Sequence, residues 1–346
     1  MEKKTNENLL EVRNLKTSFF LEEGTVQAVD GVDFDIKPGE TLGLVGESGC
    51  GKSVTARSIM RIVQPPGRII AGQILYHKSI QDSDVFSMVD VVDLVQLDPR
   101  GREIRSVRGA GISIVFQEPM TALSPVHTIG NQIMEAITVH EDITKTEARE
   151  RAIRMLSMVE MPGPSRTIDQ YPHELSGGMR QRALIGMALA CRPNLLIADE
   201  PTTALDVTTE ANILALLRRL QSEMGLSILF ITHDLGVIAQ MAQRVAVMYM
   251  GKIVEEAGVE ALYDDPMHPY TRALLHSIPR LDQGIRAQQR LESIRGMVPD
   301  PYTLPKGCKF HPRCSELQEI CKVKEPPYVE VEPGHKVRCH LYRTRV

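Results

Sequence analysis

A buried strand, a glycine loop and a helix in direct succession constrain this chain more than any other stretch of it. Lys37-Pro38-Gly39-Glu40 reads as a turn, and Thr41-Leu42-Gly43-Leu44-Val45 as a short buried strand. Gly46-Glu47-Ser48-Gly49-Cys50-Gly51-Lys52-Ser53 follows and fits G-x-x-x-x-G-K-[ST]. A helix is predicted from about Lys52 to Val63, ended by Pro65-Pro66-Gly67. The glycines let backbone N–H groups wrap phosphate oxygens at a positive helix end. Lys52 supplies a point charge and the Ser53 hydroxyl a Mg²⁺ ligand. Gly46, Glu47, Ser48, Gly49, Cys50, Gly51, Lys52, Ser53 and Val54 are therefore the candidate phosphate-binding residues. The unit this succession demands is an open α/β sheet with its ligand at the strand ends.

The rest of the chain supplies the other strands and helices. Val32, Phe34 and Ile36 alternate with Asp33 and Asp35, the period of a half-buried strand. Gly111–Phe116, Leu195–Asp199 and Ser227–Thr232 are further apolar strands, and helices are predicted over 178–191 and about 209–224. Between Ile129 and Val159 the pattern turns helical, with Ile133, Ile137, Ala148, Ile153, Leu156 and Val159 as inward positions. Strands alternating with helices predict a mostly parallel sheet. From about Asp265 prolines cluster, and a boundary near 265–290 with a small appended domain is expected.

Several positions acquire a role from the company they keep. Asp199 ends an apolar strand and is placed to hold Mg²⁺, while Glu200 beside it is placed to polarise an attacking water. Gln117 follows a buried strand and precedes Glu118-Pro119-Met120; His233 closes Ile231-Thr232. Leu175-Ser176-Gly177-Gly178-Met179, followed by Arg180-Gln181-Arg182, opens a helix with a glycine pair behind a serine, which offers N–H groups to an anion.

That ordered set resembles the ATPase subunit of the ATP-binding-cassette family. The resemblance implies a P-loop α/β core with an antiparallel β subdomain and an inserted helical subdomain at about 118–192. It implies ATP and Mg²⁺ as cofactors, with Glu200, His233 and Gln117 as catalytic residues and Ser53, Gln117 and Asp199 at the metal. Ser176, Gly177, Gly178 and Gln181 then face the ATP of a second subunit, and Ala204-Leu205-Asp206 forms the turn that crosses the dimer interface. The segment 118–120 touches a transmembrane partner. An aromatic near the end of the first strand stacks on adenine, with Phe19 the choice and Phe20 the alternative.

Four of the six cysteines lie beyond residue 307: Cys308, Cys314, Cys321 and Cys339. Their spacing is not the paired knuckle of common zinc sites, and Zn²⁺, a [4Fe–4S] cluster or free thiols all remain open to such a set. The segments Val298-Pro299-Asp300-Pro301 and Gly307-Cys308 through Arg313-Cys314, with Tyr263 to Leu274 before them, resemble the C-terminal extension of oligopeptide and dipeptide permease ATPases. This divides the chain into a nucleotide-binding domain over 1–265 and an extension over 266–346. It implies an iron–sulfur cluster and a peptide-importing ATPase at the cytoplasmic face of the membrane. The partners implied are a second, paralogous ATPase, two permeases and an extracellular peptide-binding protein. His311, His335 and His340 are expected at the surface rather than as ligands. Cys50, at a helix N-terminus, has a position where a thiol pKa tends to fall, while its plainer reading is a tolerated spacer.

Composition removes other classes. A net charge of −4 offers no global basic field for nucleic acid, and no apolar run approaches the roughly 20 residues that span a bilayer. The first residues lead into no apolar core of a secretory signal. Trp is absent and aromatics are 4%, which disfavours an aromatic binding face. Soluble cassette ATPases acting on ribosomes or DNA usually carry two cassettes or a coiled-coil insertion, and neither is seen. An importer of nickel or another small solute is the remaining alternative within transport.

Overall fold

The computed structural model describes residues 8–79, 89–117, 122–277, 294 and 296–342. Its strands are β1 (Leu10–Leu21), β2 (Gly24–Ile36), β3 (Thr41–Val45), β4 (Gly67–Ser79), β5 (Val89–Asp93), β6 (Ile112–Val115), β7 (Leu195–Asp199), β8 (Ser227–Thr232), β9 (Arg244–Tyr249), β10 (Lys252–Gly258), β11 (Val329–Glu332) and β12 (His335–Val337). Two compact units divide the chain. One is built from Ile36–Glu40 and Tyr76–Ile231 with the start of the chain, the other from Glu11–Asp35, Thr41–Leu75 and Thr232–Val346.

In the first unit β6, β7 and β8 lie side by side and parallel, in register from Ile112↔Leu195 and Leu195↔Ser227. All five residues of β7 and all six of β8 are buried, which is why both read as unbroken apolar runs rather than alternating ones. The helical block is present as Ile129–Thr138, Lys145–Met158 and Gly177–Leu189, packed on one another. A capping box of Thr144 and Glu147 starts the second of these. Ile133, Ile137, Ala148, Leu156 and Val159 are buried as predicted, whereas Ile153 is only half-buried and Ala152 and Met155 face inward instead. Residues 118–121, where a partner-touching loop was expected, lie outside the described residues.

The second unit carries the glycine loop. Here β3 pairs in parallel with β9, and β9 pairs antiparallel with β10. β10 continues antiparallel into β12, and β12 into β11. β2, β1 and β4 form a separate sheet in that order. Val32, Phe34 and Ile36 are buried, as their alternation requires. The helix after the loop runs Lys52–Ile59, shorter than predicted, because Arg61 adopts a left-handed φ of 55° that an α-helix does not accommodate.

The residues on both sides of the expected boundary near 265 fall in this unit. Residues beyond 265 extend the sheet of β9 and β10 through β12, and Met267, Val337 and Cys339 share one apolar cluster with Val329, Val331, Leu341 and Tyr342. That cluster is formed wholly by residues beyond 265. Among the described residues no helix is long and apolar enough to cross a membrane.

Candidate functional site

The glycine loop is shaped by close backbone contacts. Gly46 has φ 156°, and a Cβ there would stand 2.1 Å from the Met248 carbonyl oxygen. Gly51 has φ 111°, and a Cβ there would stand 2.2 Å from the Ala28 carbonyl oxygen. No other residue fits either place. Among the described residues no side chain caps the following helix. Lys52 is buried at 4% exposure, its Nζ donating to the carbonyls of Gly46 (2.8 Å) and Glu47 (3.2 Å). Ser48 and Gly49 are exposed, and Ser53 and Val54 half-buried.

Burial argues against the activated-thiol reading of Cys50 and leaves the plainer one. Cys50 is buried, and desolvation raises its pKa above the ordinary thiol value despite the nearby Lys52 charge. Its carbonyl accepts from the Gly251 N–H at 2.8 Å. Packing, not reactivity, accounts for this position.

The carboxylate pair ends β7. Asp199 is 2% exposed. Glu200 follows in a left-handed conformation (φ 49°), its N–H donating to the Ile231 carbonyl at 2.9 Å. Glu200 Oε2 accepts from Gln117 Nε2 at 2.8 Å and from the Thr203 hydroxyl at 3.1 Å. Two residues 83 positions apart, both singled out from the sequence, thus meet. His233 is exposed just past β8, ahead of Asp234, whose carboxylate caps the helix Leu235–Met241.

Ser176 is the N-cap of the helix Gly177–Leu189, its hydroxyl accepting from the Met179 N–H. Ser176 and Gly177 are exposed. A Cβ on Gly178 would meet Thr209 Cγ2 at 2.7 Å, so glycine is required by the neighbouring helix as well as by any anion. Thr209 in turn holds Asp206, donating through its N–H (2.9 Å) and hydroxyl (2.7 Å); these bonds keep the Asp206 carboxyl below the ordinary range. The signature and the Asp206 turn are therefore adjoining parts of one surface. Gln181 is not on it. It is 1% exposed, and among the described residues its amide atoms have no hydrogen-bond partner.

Phe19 is half-buried and packs near Gly67 and Val63, while Phe20 is exposed with the Arg68 guanidinium 4.5 Å from its ring centre. One packs and one is open, as a paired aromatic at a strand end suggests.

None of the six cysteines is in a disulfide. The thiols of Cys308, Cys314 and Cys339 are all pushed up, chiefly by burial and then by one another and Cys321, Cys308 to about 11 and Cys339 to about 12. Backbone N–H groups of Phe310, Glu316 and Leu341 bond to Cys308, Cys314 and Cys339 and act in the opposite direction. Among the described residues, however, no group of three or more His, Cys, Asp or Glu is arranged to hold a metal ion. The expected cluster is thus not established by this geometry. His335 and His340 are buried, not superficial: His335 Nε2 bonds to Glu255 Oε1 at 2.8 Å and His340 Nε2 to the Lys324 carbonyl at 2.9 Å.

Sequence reasoning missed the partners of Glu47. Arg313 donates to both its carboxylate oxygens, Nη1 to Oε2 at 2.6 Å and Nη2 to Oε1 at 3.0 Å. The Glu47 N–H donates to Tyr270 Oη at 2.9 Å.

The ABC transporter family profile matches residues 29–203. The chain belongs to the ABC transporter family. A second profile, the C-terminal region of oligopeptide/dipeptide transporters, matches this ABC chain over residues 254–321. Among its relatives, a probable peptide ABC transporter ATP-binding protein, y4tR of Sinorhizobium fredii, is 48% identical, covering 96% of this chain and 94% of the relative. The oligopeptide transport ATP-binding protein AppD of Bacillus subtilis is 48% identical over 96% of this chain and 97% of its own. The dipeptide transport ATP-binding protein DppD of Bacillus subtilis is 46% identical over 98% and 96%. Among solved structures, the post-hydrolysis dimer of the ATP-binding cassette MJ0796 bound to ADP and Pi is 27% identical with a TM-score of 0.60, covering 72% of this chain and 98% of that one.

Proposed function

We propose that this ABC ATPase powers the uptake of di- and oligopeptides, seated at the cytoplasmic face of the membrane on two permease subunits. The observation that carries this reading is the union, in one chain, of a complete hydrolytic set with a C-terminal region of oligopeptide/dipeptide transporter type. Relatives named as peptide, oligopeptide and dipeptide transport proteins along nearly their whole length support the cargo. A peptide-binding protein on the other side delivers the cargo, and a second, paralogous ATPase completes the pair.

The residues divide the work. The amides of Gly46 to Val54 and the Lys52 ammonium bind the ATP phosphates, with Phe19 or Phe20 against the adenine. Ser53, Asp199 and Gln117 attend the Mg²⁺, which neutralises charge on the phosphates when bound. Glu200 takes the proton of the attacking water, held in aim by Gln117 and Thr203. His233 senses the γ-phosphate. Ser176, Gly177 and Gly178, exposed or half-exposed at a helix start, meet the ATP of the second subunit, so ATP favours the closed pair and hydrolysis releases it. Catalysis on this account is positioning and charge stabilisation.

The four tail thiols are proposed as ligands of a [4Fe–4S] cluster, with Zn²⁺ as the alternative soft-ligand occupant. The N–H groups bonded to three of them support this, since hydrogen bonds to sulfur tune such centres. Purification from membranes without oxygen tests both proposals together. Two polytopic permeases and a brown colour are expected to come with the chain. Ribosomes in their place would overturn the transport reading, and a colourless, metal-free complex the cluster.

A further inference from the structure

We infer that Arg313 and Tyr270 are positioning residues of the ATP site: the C-terminal region holds the phosphate loop in shape and neutralises a carboxylate inside it. The inference rests on reading Gly46–Ser53 as the phosphate loop. Glu47 is its hub. Its carboxylate takes the bidentate fork of Arg313, its N–H goes to Tyr270 Oη, and its carbonyl accepts from Lys52 Nζ. Three groups of one loop residue are engaged, two of them by side chains from beyond residue 265.

The hold on Glu47 is built on a rigid base. Phe310, three residues before Arg313, is 2% exposed and packs against the rings of Tyr249, Tyr270 and His268, with centres 5.2, 5.4 and 5.7 Å away. Lys309 donates to the Met250 carbonyl at 2.8 Å and pairs with Asp30 at 3.0 Å. On the other side, Gly251 N–H holds the carbonyl of Cys50. The Arg313 side chain is 3% exposed and that of Glu47 26%, so this is not one of the solvated ion pairs that contribute nothing measurable. Bidentate, charge-assisted geometry of this kind is the strong form of the contact.

Charge gives the arrangement its functional meaning. A carboxylate in a loop that must receive a triphosphate repels it unless a cation stands beside it. Arg313 is that cation. Removing it leaves Glu47 negative and without its fork, while Tyr270 and Lys52 still hold its N–H and its carbonyl.

The test uses the full-length chain with a fluorescent ATP analogue for affinity, and the purified complex for turnover. Arg313→Gln is expected to raise Kd and KM for ATP about tenfold with kcat within about twofold, the size of one lost charge–charge contact near a surface. The defect shrinks as salt is raised, because the repulsion is screened. Adding Glu47→Gln removes the charge itself and is expected to restore affinity to within about threefold, a rescue that a merely structural Arg313 does not permit. Arg313→Lys, which keeps the charge but not the fork, is expected to fall between, and decides the matter if Arg313→Gln does not fold. Unchanged affinity in Arg313→Gln, or defects of Arg313→Gln and Glu47→Gln that simply add, overturns the inference. Lys52→Ala separates the two readings: if it still binds ATP, the phosphate-loop assignment itself falls.

Discussion

Glu200 carries its carboxylate on a backbone turned to φ 49°, with one oxygen shared by Gln117 and Thr203. Such a conformation is costly for a residue with a Cβ and persists where the surroundings over-determine it. Glu200→Gln keeps the shape and removes the basic oxygen. ATP hydrolysis is expected to fall by about 100-fold or more while ATP affinity is retained, and an ATP-bound closed pair accumulates, read by size-exclusion chromatography with light scattering. Turnover like that of the wild type would assign the base elsewhere. Gln117 and Glu200 were legible as candidates because each follows the end of its own apolar strand, whereas their contact and that of Thr203 were not. Arg313 was not. It meets Glu47 across 266 positions, and nothing in local periodicity marks a pair so far apart. Gln181, placed with the signature by resemblance, is turned inward by helical periodicity.

His268 shows what an element end adds. It caps the helix Pro269–His276, its Nδ1 accepting from the Tyr270 N–H, and its own N–H goes to Glu255, which is fully buried. Burial depresses its pKa from 6.5 to about 4, with Glu255 acting the other way and Arg272 with the burial. The unfolded chain therefore binds this proton first. Stability from the neutral ring is complete above 6.5 and is lost as pH falls from there toward 4, by up to about 3 kcal/mol. Denaturant midpoints across that window are expected to fall for the wild type and to fall less for His268→Gln. Equal slopes would show that the ring contributes nothing to acid sensitivity. Strands β3, β7 and β8 were readable to the residue because burial on both faces makes their interiors apolar, with polar side chains only at their ends. The helix after the loop was overestimated because its end depends on the left-handed Arg61, which carries no sequence mark.

At the scale of the molecule, the class of fold and the nucleotide chemistry were legible from ordered motifs. Less legible was how the appended region joins the rest: β11 and β12 continue the sheet of β9 and β10, and Arg313 reaches the glycine loop. Composition reports local backbone habit, whereas a shared core depends on pairings that only the folded chain reveals. The tail thus shares one compact unit with the glycine loop. The most direct test of the whole account is ATP-driven uptake of labelled di- and oligopeptides into vesicles holding the purified complex and its binding protein. Uptake that requires ATP and disappears with Glu200→Gln is the predicted result; peptide uptake unchanged by that substitution, or ATP hydrolysis that moves no peptide, would contradict it.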